Sequence, residues 1–523
     1  MSGTLVSVDA LALLPALAPA AGAVLVLVVD ALAPRAGLLA RLLGFAGLVA
    51  GLVGVVLPLT SGTRIAQSLC TPAPEGRCFY DTGTAGLLLQ VGALVAGIVV
   101  LLLLRDHDTE DSPTPFGLSG DPRKPTDTEL ATMSSSGLSG DPINQRGPGQ
   151  RGGVGVTTAL VLTTVAGATT VAAAVDLGTW LVALELATLP GIALVALRGT
   201  ERAAHGAMSL LTTALLSAAV TVVGAALWLV ATHDVTFSPV AAAAAWANTP
   251  TRPALILAVV LLLAGLGFKL SAVPFHQWTP QAYAGSSVSV AALLATVSKI
   301  AAVAGLIAVL RAVVGLAGPS GHPHQLALVV AVLAVVTMTL GNVVALRQDD
   351  VVRLLAWSTI AQAGWVLLPL AALSDAGLRS AATYVVAYAV ASLVAFAVVP
   401  FVGTQLAAYG GLLRRHPLLG GVLVLGLVSL AGLPPGILGL VAKVVALRAV
   451  MDGGLWPLAL VAVANAVLGI AVYLRWVAVL FGDPAPDADP LVSRRGGRVG
   501  LALAAMLLIV TSVVPQLVLG LLA

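Results

Sequence analysis

Four lysines stand against 22 arginines in this chain, and three of the four, Lys269, Lys299 and Lys443, lie inside apolar runs. A lysine near the middle of a bilayer-spanning helix costs about 2.5–3.5 kcal/mol on insertion scales, so such residues usually face a bundle interior or a wet cavity. Lysine can lose its proton when desolvated, whereas arginine in proteins effectively cannot. The three retained lysines therefore suit one chemistry: taking up and releasing a proton at membrane depth. Glu185 is the matching group, a carboxylate well inside the run DLGTWLVALELATLP. Buried and alone it should be neutral or paired with a cation. Paired with Lys269 it would hold that lysine's proton, and its withdrawal would release it. A static ion pair that only fixes helix packing is the competing reading.

The surroundings sharpen the roles. Residues 263–302 set Lys269 and Lys299 into two apolar spans separated by a proline-bounded break, PFHQWTP. Thr296 and Ser298 stand close by as hydrogen-bond partners of Lys299 or as ligands for water. Lys443 follows Pro434 and Pro435, whose missing N–H groups free backbone carbonyls and open the helix. Each lysine alone could snorkel to an interface. His276, inside the first break, either links the lysines to water or caps a tight turn. Asp176 reads as a helix cap, and Arg475 as an interfacial residue.

These residues need a membrane scaffold to hold them. The 523 residues are 59% hydrophobic and 9% charged, with a mean hydropathy of +1.02. Roughly 25% charge is usual in soluble domains, so this is a polytopic membrane protein in a lipid bilayer. Apolar runs of spanning length begin near Leu11, Gly37, Thr84, Val156, Leu177, Gly206, Pro253, Val288, Gln325, Val351, Arg379, Leu418, Leu455 and Gly500. They predict an all-α protein with about 14 transmembrane helices. The first run follows an uncharged start and reads as a spanning helix rather than a cleaved signal. With the N-terminus outside, twelve arginines near helix ends, among them Arg35, Arg41, Arg198 and Arg353, fall on the cytoplasmic side. Six fall outside: Arg64, Arg77, Arg252, Arg311, Arg379 and Arg448. The excess places both termini on the outer side. Cys70 and Cys78 then share an outer loop, where a disulfide is expected, although two free thiols would fit if the loop faced inward.

The predicted organisation is three helices over 1–105, a polar loop over 106–153, five helices over 154–310, five more over 325–482, and a last helix over 497–523. The loop is rich in Gly, Pro, Ser and Asp, reads as disordered, and carries GLSGDP twice. A short duplicated insertion and a docking segment for a partner both remain open. Proline and glycine near a lysine recur in 265–274 and 431–443, which points to two inverted five-helix repeats, each with a discontinuous helix. No Gly-rich phosphate loop, dinucleotide fingerprint, CxxC or HExxH occurs, and no basic cluster suggests nucleic acid.

Glu185 followed by LATLP, FKLSAVPFHQWTP with Lys269, TVSKIA with Lys299, RLLAWSTIAQAGW from Arg353, and LAGLPPGILGLVAK with Lys443 occur in that order. Together they resemble the antiporter-like, proton-conducting membrane subunits of respiratory complex I, NADH-quinone oxidoreductase. Lysine rather than glutamate in the late broken helix points to the subunit N family. The resemblance implies a non-redox subunit of a proton-translocating complex in a bacterial cell membrane. Glu185 then modulates Lys269, Lys299 relays, and Lys443 faces the far exit or the neighbouring antiporter-like subunit. It also implies that NADH, FMN, iron–sulfur clusters and quinone are bound by partner subunits, with no cofactor or metal in this chain. A subunit of a multisubunit cation/proton antiporter is the alternative. Gln281 and Ala284 depart from the acidic residues common after WTP, and Gln362 and Trp365 stand where many relatives carry histidine and tyrosine. Water access should differ accordingly, with the charged row intact.

Overall fold

The computed structural model describes residues 6–60, 66–72, 76–104, 153–314, 316, 324–483 and 495–520. Nearly all of the polar loop, with both GLSGDP copies, lies outside them. Among the described residues, twelve helices are long and apolar enough to cross a membrane, and Pro417–Ala431 and Gly497–Val513 are shorter apolar helices. Each corresponds in order to one of the fourteen apolar runs. The helices begin with α1 (Ala10–Leu32), α2 (Gly37–Thr60) and α3 (Gly83–Leu103). A hairpin of β1 (Gln67–Cys70) and β2 (Cys78–Asp81) connects the last two, and a Cys70–Cys78 disulfide joins its strands.

The next group holds α4 (Val154–Val171), α5 (Leu177–Leu186), α6 (Leu189–Ala196), α7 (Glu201–Thr232), the short α8 (Pro239–Ala247) and α9 (Arg252–Leu270). It ends with α10 (Trp278–Gly285), α11 (Val288–Ala295) and α12 (Val297–Val314). The last group runs α13 (His324–Ala345), α14 (Val351–Leu370), α15 (Asp375–Val402), α16 (Leu412–Arg415), α17 (Pro417–Ala431), α18 (Ile437–Asp452), α19 (Trp456–Phe481), α20 (Arg495–Val513) and α21 (Gln516–Leu519).

Burial separates centre from periphery. The spans of α3, α11–α12, α14 and α15 are 83–94% buried, whereas α1, α2, α7, α13 and α19 are 33–39% buried. The outer helices show Leu and Val to the surroundings because lipid is as apolar as they are. The central ones carry the polar groups, where neighbouring helices can satisfy them.

A short extended pairing occurs twice. Asp176 caps α5 by accepting from Thr179 N, and its segment pairs with the chain after α7: Leu177 N donates to Val235 O at 2.8 Å. Asp350 caps α14 by accepting from Arg353 N, and its segment pairs with the chain after α15: Val351 N donates to Thr404 O at 2.7 Å. Both discontinuous helices are present, α9–α10 with residues 271–277 between its halves and α17–α18 with residues 432–436. Two smaller interruptions were not legible as such. One run divides into α5 and α6 at Ala187–Thr188, because Pro190 has no N–H for the carbonyl of Leu186. Another divides into α11 and α12 at Thr296, whose hydroxyl bonds back to Ala292 O at 2.7 Å.

Candidate proton-path residues

Glu185 lies in the last turn of α5, and Lys269 in the last turn of α9. They meet in a salt bridge: Lys269 Nζ donates to Glu185 Oε1 at 3.0 Å and to Thr188 Oγ1 at 2.9 Å. The Lys269 side chain is 5% exposed and that of Glu185 30%. The interruption after Glu185 thus supplies the second ligand, since it turns Thr188 toward the amine.

Lys299 is held by the broken helix rather than by its own. Its Nζ donates to the carbonyl of Lys269 at 3.0 Å and to Ser271 Oγ at 2.5 Å. Thr296 and Ser298, close by in the sequence, do not ligate it; Thr296 is occupied with Ala292 O, and Ser298 lines a neighbouring cavity. The reason lies in the break. The α9 helix stops at Leu270, Val273 N donates to Thr337 Oγ1, and the Lys269 carbonyl is left for another donor. One residue therefore touches both partners, its side chain on Glu185 and its backbone on Lys299. The Lys299 amine also lies 4.5 Å from the centre of the Trp278 ring, a cation–π contact.

The second break repeats this arrangement. In a continuous helix the carbonyls of Leu430 and Ala431 would accept from residues 434 and 435, which are both proline. Lys443 Nζ donates to these two carbonyls, at 3.1 and 2.6 Å, and sits 5.1 Å from the Trp365 ring. Two glycines make room. Gly432 has φ +78°, and a Cβ there would lie 2.7 Å from Lys443 Cδ; a Cβ on Gly439 would lie 1.8 Å from Ser429 O.

Beside the Lys443 site stands a cluster of neutral groups outside the expected charged row. Gln362 Nε2 donates to Leu430 O at 3.3 Å and to Tyr473 OH at 2.8 Å, and its Oε1 accepts from Tyr384 OH at 2.5 Å. Ser358 Oγ and Tyr473 OH share a 2.6 Å hydrogen bond, and Tyr388 OH donates to Thr359 Oγ1 at 2.8 Å. Spacing on α14 gives one signal for it: Ser358, Thr359, Gln362 and Trp365 follow helical intervals. Two cavities flank the cluster and the pair. One small cavity is lined by Lys269, Thr188, Thr213, Ser217, Trp278 and Ser298 among others. The other, smaller still, is lined by Gln362, Tyr384, Tyr388, Ser429 and Leu430 among others.

His276 packs against Trp357 in the break between α9 and α10. Its ring stands 5.4 Å from that of Trp357, and its Nδ1 is buried with no hydrogen-bond partner. Arg475 donates to the carbonyls of Leu346 and Gln348 and pairs with Asp349 at the end of α13. Among the described residues no group of three or more His, Cys, Asp or Glu side chains is placed to hold a metal.

Because Gln362 satisfies two tyrosines and the carbonyl that also receives Lys443, its loss should be felt along the cluster. Each buried group left without its partner costs about 1–3 kcal/mol. Gln362→Leu is expected to lower the unfolding midpoint of the protein and to slow its transport several-fold, and Gln362→Glu to recover part of the stability. Thermal unfolding and transport measured on the same preparation check this.

The match to known proteins is extensive. Over 505 residues the chain is 38% identical to NADH-quinone oxidoreductase subunit N of Salinispora tropica, spanning 92% of this chain and 87% of the relative. The chain belongs to the NADH-quinone oxidoreductase subunit N family. Subunit N 2 of Streptomyces griseus is 34% identical, over 91% of this chain and 84% of its own length. Residues 174–469 match the broader family described as NADH:quinone oxidoreductase/Mrp antiporter, TM. A chain of respiratory complex I from Thermus thermophilus with bound aureothin superposes with a TM-score of 0.74 at 25% identity, covering 97% of this chain and 98% of that one. A chain of the Mrp complex from Dietzia sp. DQ12-45-1b reaches 0.76 at 19% identity, covering 98% and 96%, a likeness of fold. The resemblance read from the five motifs holds for this subunit N family member, and with it the all-α antiporter-like membrane fold.

Proposed function

We propose that this chain is a proton-translocating membrane subunit of NADH-quinone oxidoreductase, in which electron transfer from NADH to quinone in other subunits drives protons across the membrane. The observation that carries this is Lys269, which holds Glu185 with its side chain and Lys299 with its carbonyl. If the carboxylate withdraws, the Lys269 amine loses the partner that favours its charged form. Its backbone movement also alters the acceptor of Lys299. Protons then pass from Lys269 to Lys299 and, through the tyrosine and glutamine cluster with cavity water, to Lys443. Tyrosine, serine and threonine hydroxyls can each accept one proton while donating another.

The chain is a non-redox member of the enzyme, and NADH, FMN, iron–sulfur clusters and quinone are assigned to partner subunits. Both termini are placed outside, which the Cys70–Cys78 disulfide supports because such bonds persist in oxidising compartments. The division into five-helix units over 154–310 and 325–482 draws support from the recurring Asp-capped pairing and the two lysine-holding breaks.

Lys299→Ala tests the reading. The assembled complex should keep NADH oxidation by its peripheral redox groups with an artificial acceptor, and lose most quinone-linked oxidation and proton transport in vesicles. Quinone-linked oxidation and proton transport at their unmutated rates in the assembled complex would make the lysines structural. Sodium-dependent pH changes without NADH would instead favour a cation/proton antiporter.

A further inference from the structure

The helix that carries Glu185 is held at its outer end by a stapled hairpin that the proton path does not use. Cys70 stands opposite Cys78 in the β1–β2 pair, and their disulfide closes it. The free edge of β2 bonds to the connection between α4 and α5: Asp81 N donates to Ala173 O at 2.8 Å, and Val175 N to Phe79 O at 3.2 Å. The far edge of that connection bonds to the chain after α7, Leu177 N to Val235 O at 2.8 Å and Phe237 N to Val175 O at 3.1 Å. Arg77, beside Cys78, reaches Asp234 at 3.3 Å, and Asp234 also accepts from Thr236 N. Residues 173–177 are thus the middle of three extended segments, and Asp176 among them caps α5.

This clamp sits where α5 most needs one. The helix has ten residues, ends in an interruption two residues after Glu185, and leaves Val182 69% and Leu186 36% exposed. Its span is 50% buried. The corresponding α14 is an unbroken helix of twenty residues, its span 89% buried, and neighbours grip it along its whole length. No cysteine stands near it, since the chain has only two. At 1.5 Å of rise per residue, a shift of the outer end of a rigid short helix is delivered undiminished to Glu185.

We infer that the Cys70–Cys78 hairpin is a positioning element for the proton path: through residues 173–177 it fixes the height at which Glu185 meets Lys269. This rests on the function proposed above. The disulfide takes no part in the chemistry, and opening it loosens the pair without removing either member.

The test uses the whole complex in liposomes, with proton transport and NADH oxidation recorded together. Dithiothreitol delivers two electrons and two protons to the bond, leaving the Cys70 and Cys78 thiols and its own cyclic disulfide. A misplacement of reacting groups by about 1 Å can cost on the order of a hundredfold, so we expect the proton-to-electron ratio to fall by about half or more. Reoxidation should restore it. The paired variant Cys70→Ser with Cys78→Ser should show the lowered ratio and no further response to the reductant. A full ratio in both the reduced protein and the variant overturns the inference, even if the unfolding midpoint drops. Lys269→Ala measured alongside separates the two claims: proton transport and quinone-linked oxidation at their unmutated rates there refute the function, whereas both rates lost there, with a wild type whose ratio is indifferent to reduction, refute only the hairpin's role.

Discussion

Lys269→Ala, in a complex whose assembly is verified, is expected to depress NADH-driven proton transport and quinone-linked NADH oxidation together. The amine joins Glu185 to Thr188, and the carbonyl of the same residue accepts from Lys299. About 1.4 kcal/mol in a barrier is tenfold in rate, and the lost charged contact exceeds that, so the fall should be about tenfold or more. Inverted membrane vesicles, with acidification and NADH oxidation read side by side, give the result; both rates at the unmutated level would make the lysine row structural. The two members of the pair should also differ in stability. Removing one partner of a buried pair costs roughly 3–5 kcal/mol because the other is left uncompensated. Glu185→Ala strands an amine that is 5% exposed, whereas Lys269→Ala leaves a less enclosed carboxylate, 30% exposed. The unfolding midpoint should therefore fall further for Glu185→Ala, and the double variant should recover part of the loss.

Replacing Pro434 and Pro435 together by alanine should abolish transport nearly as fully as Lys443→Ala, although Lys443 itself is untouched. The two alanines restore N–H donors that the carbonyls of Leu430 and Ala431 lack, and those carbonyls are the hydrogen-bond acceptors of the Lys443 amine. Alanine also favours a helix over proline by about 3 kcal/mol per residue, which drives the break to close. Among the described residues no salt bridge joins Lys443 to a carboxylate that could replace the two carbonyls and the Trp365 ring. Transport assays and circular dichroism of the two variants, each against the unmutated protein, check this. A double alanine variant that gains helix and still transports at the full rate would show that the break is not what holds Lys443.

The sequence by itself determined the number and order of the spans, because each needs about 20 apolar residues and the bilayer permits little else. It also determined where the helices open, because proline removes a specific donor: Pro434 and Pro435 mark the very carbonyls that Lys443 occupies. Asp176 announced its cap by local chemistry alone. The partners of Lys299 were decided elsewhere. Ser271 and the Lys269 carbonyl lie 28 and 30 residues away, and the neighbouring Thr296 spends its hydroxyl on its own helix. The indole faces over Lys299 and Lys443, the meeting of Gln362 with Tyr384 and Tyr473, and the clamp from the disulfide hairpin to α5 likewise depend on helix packing. Periodicity shows which face of a helix is polar; only the packed bundle decides which other polar face it meets, since an unpaired group in the membrane must take whatever partner the tertiary fold brings within about 3 Å.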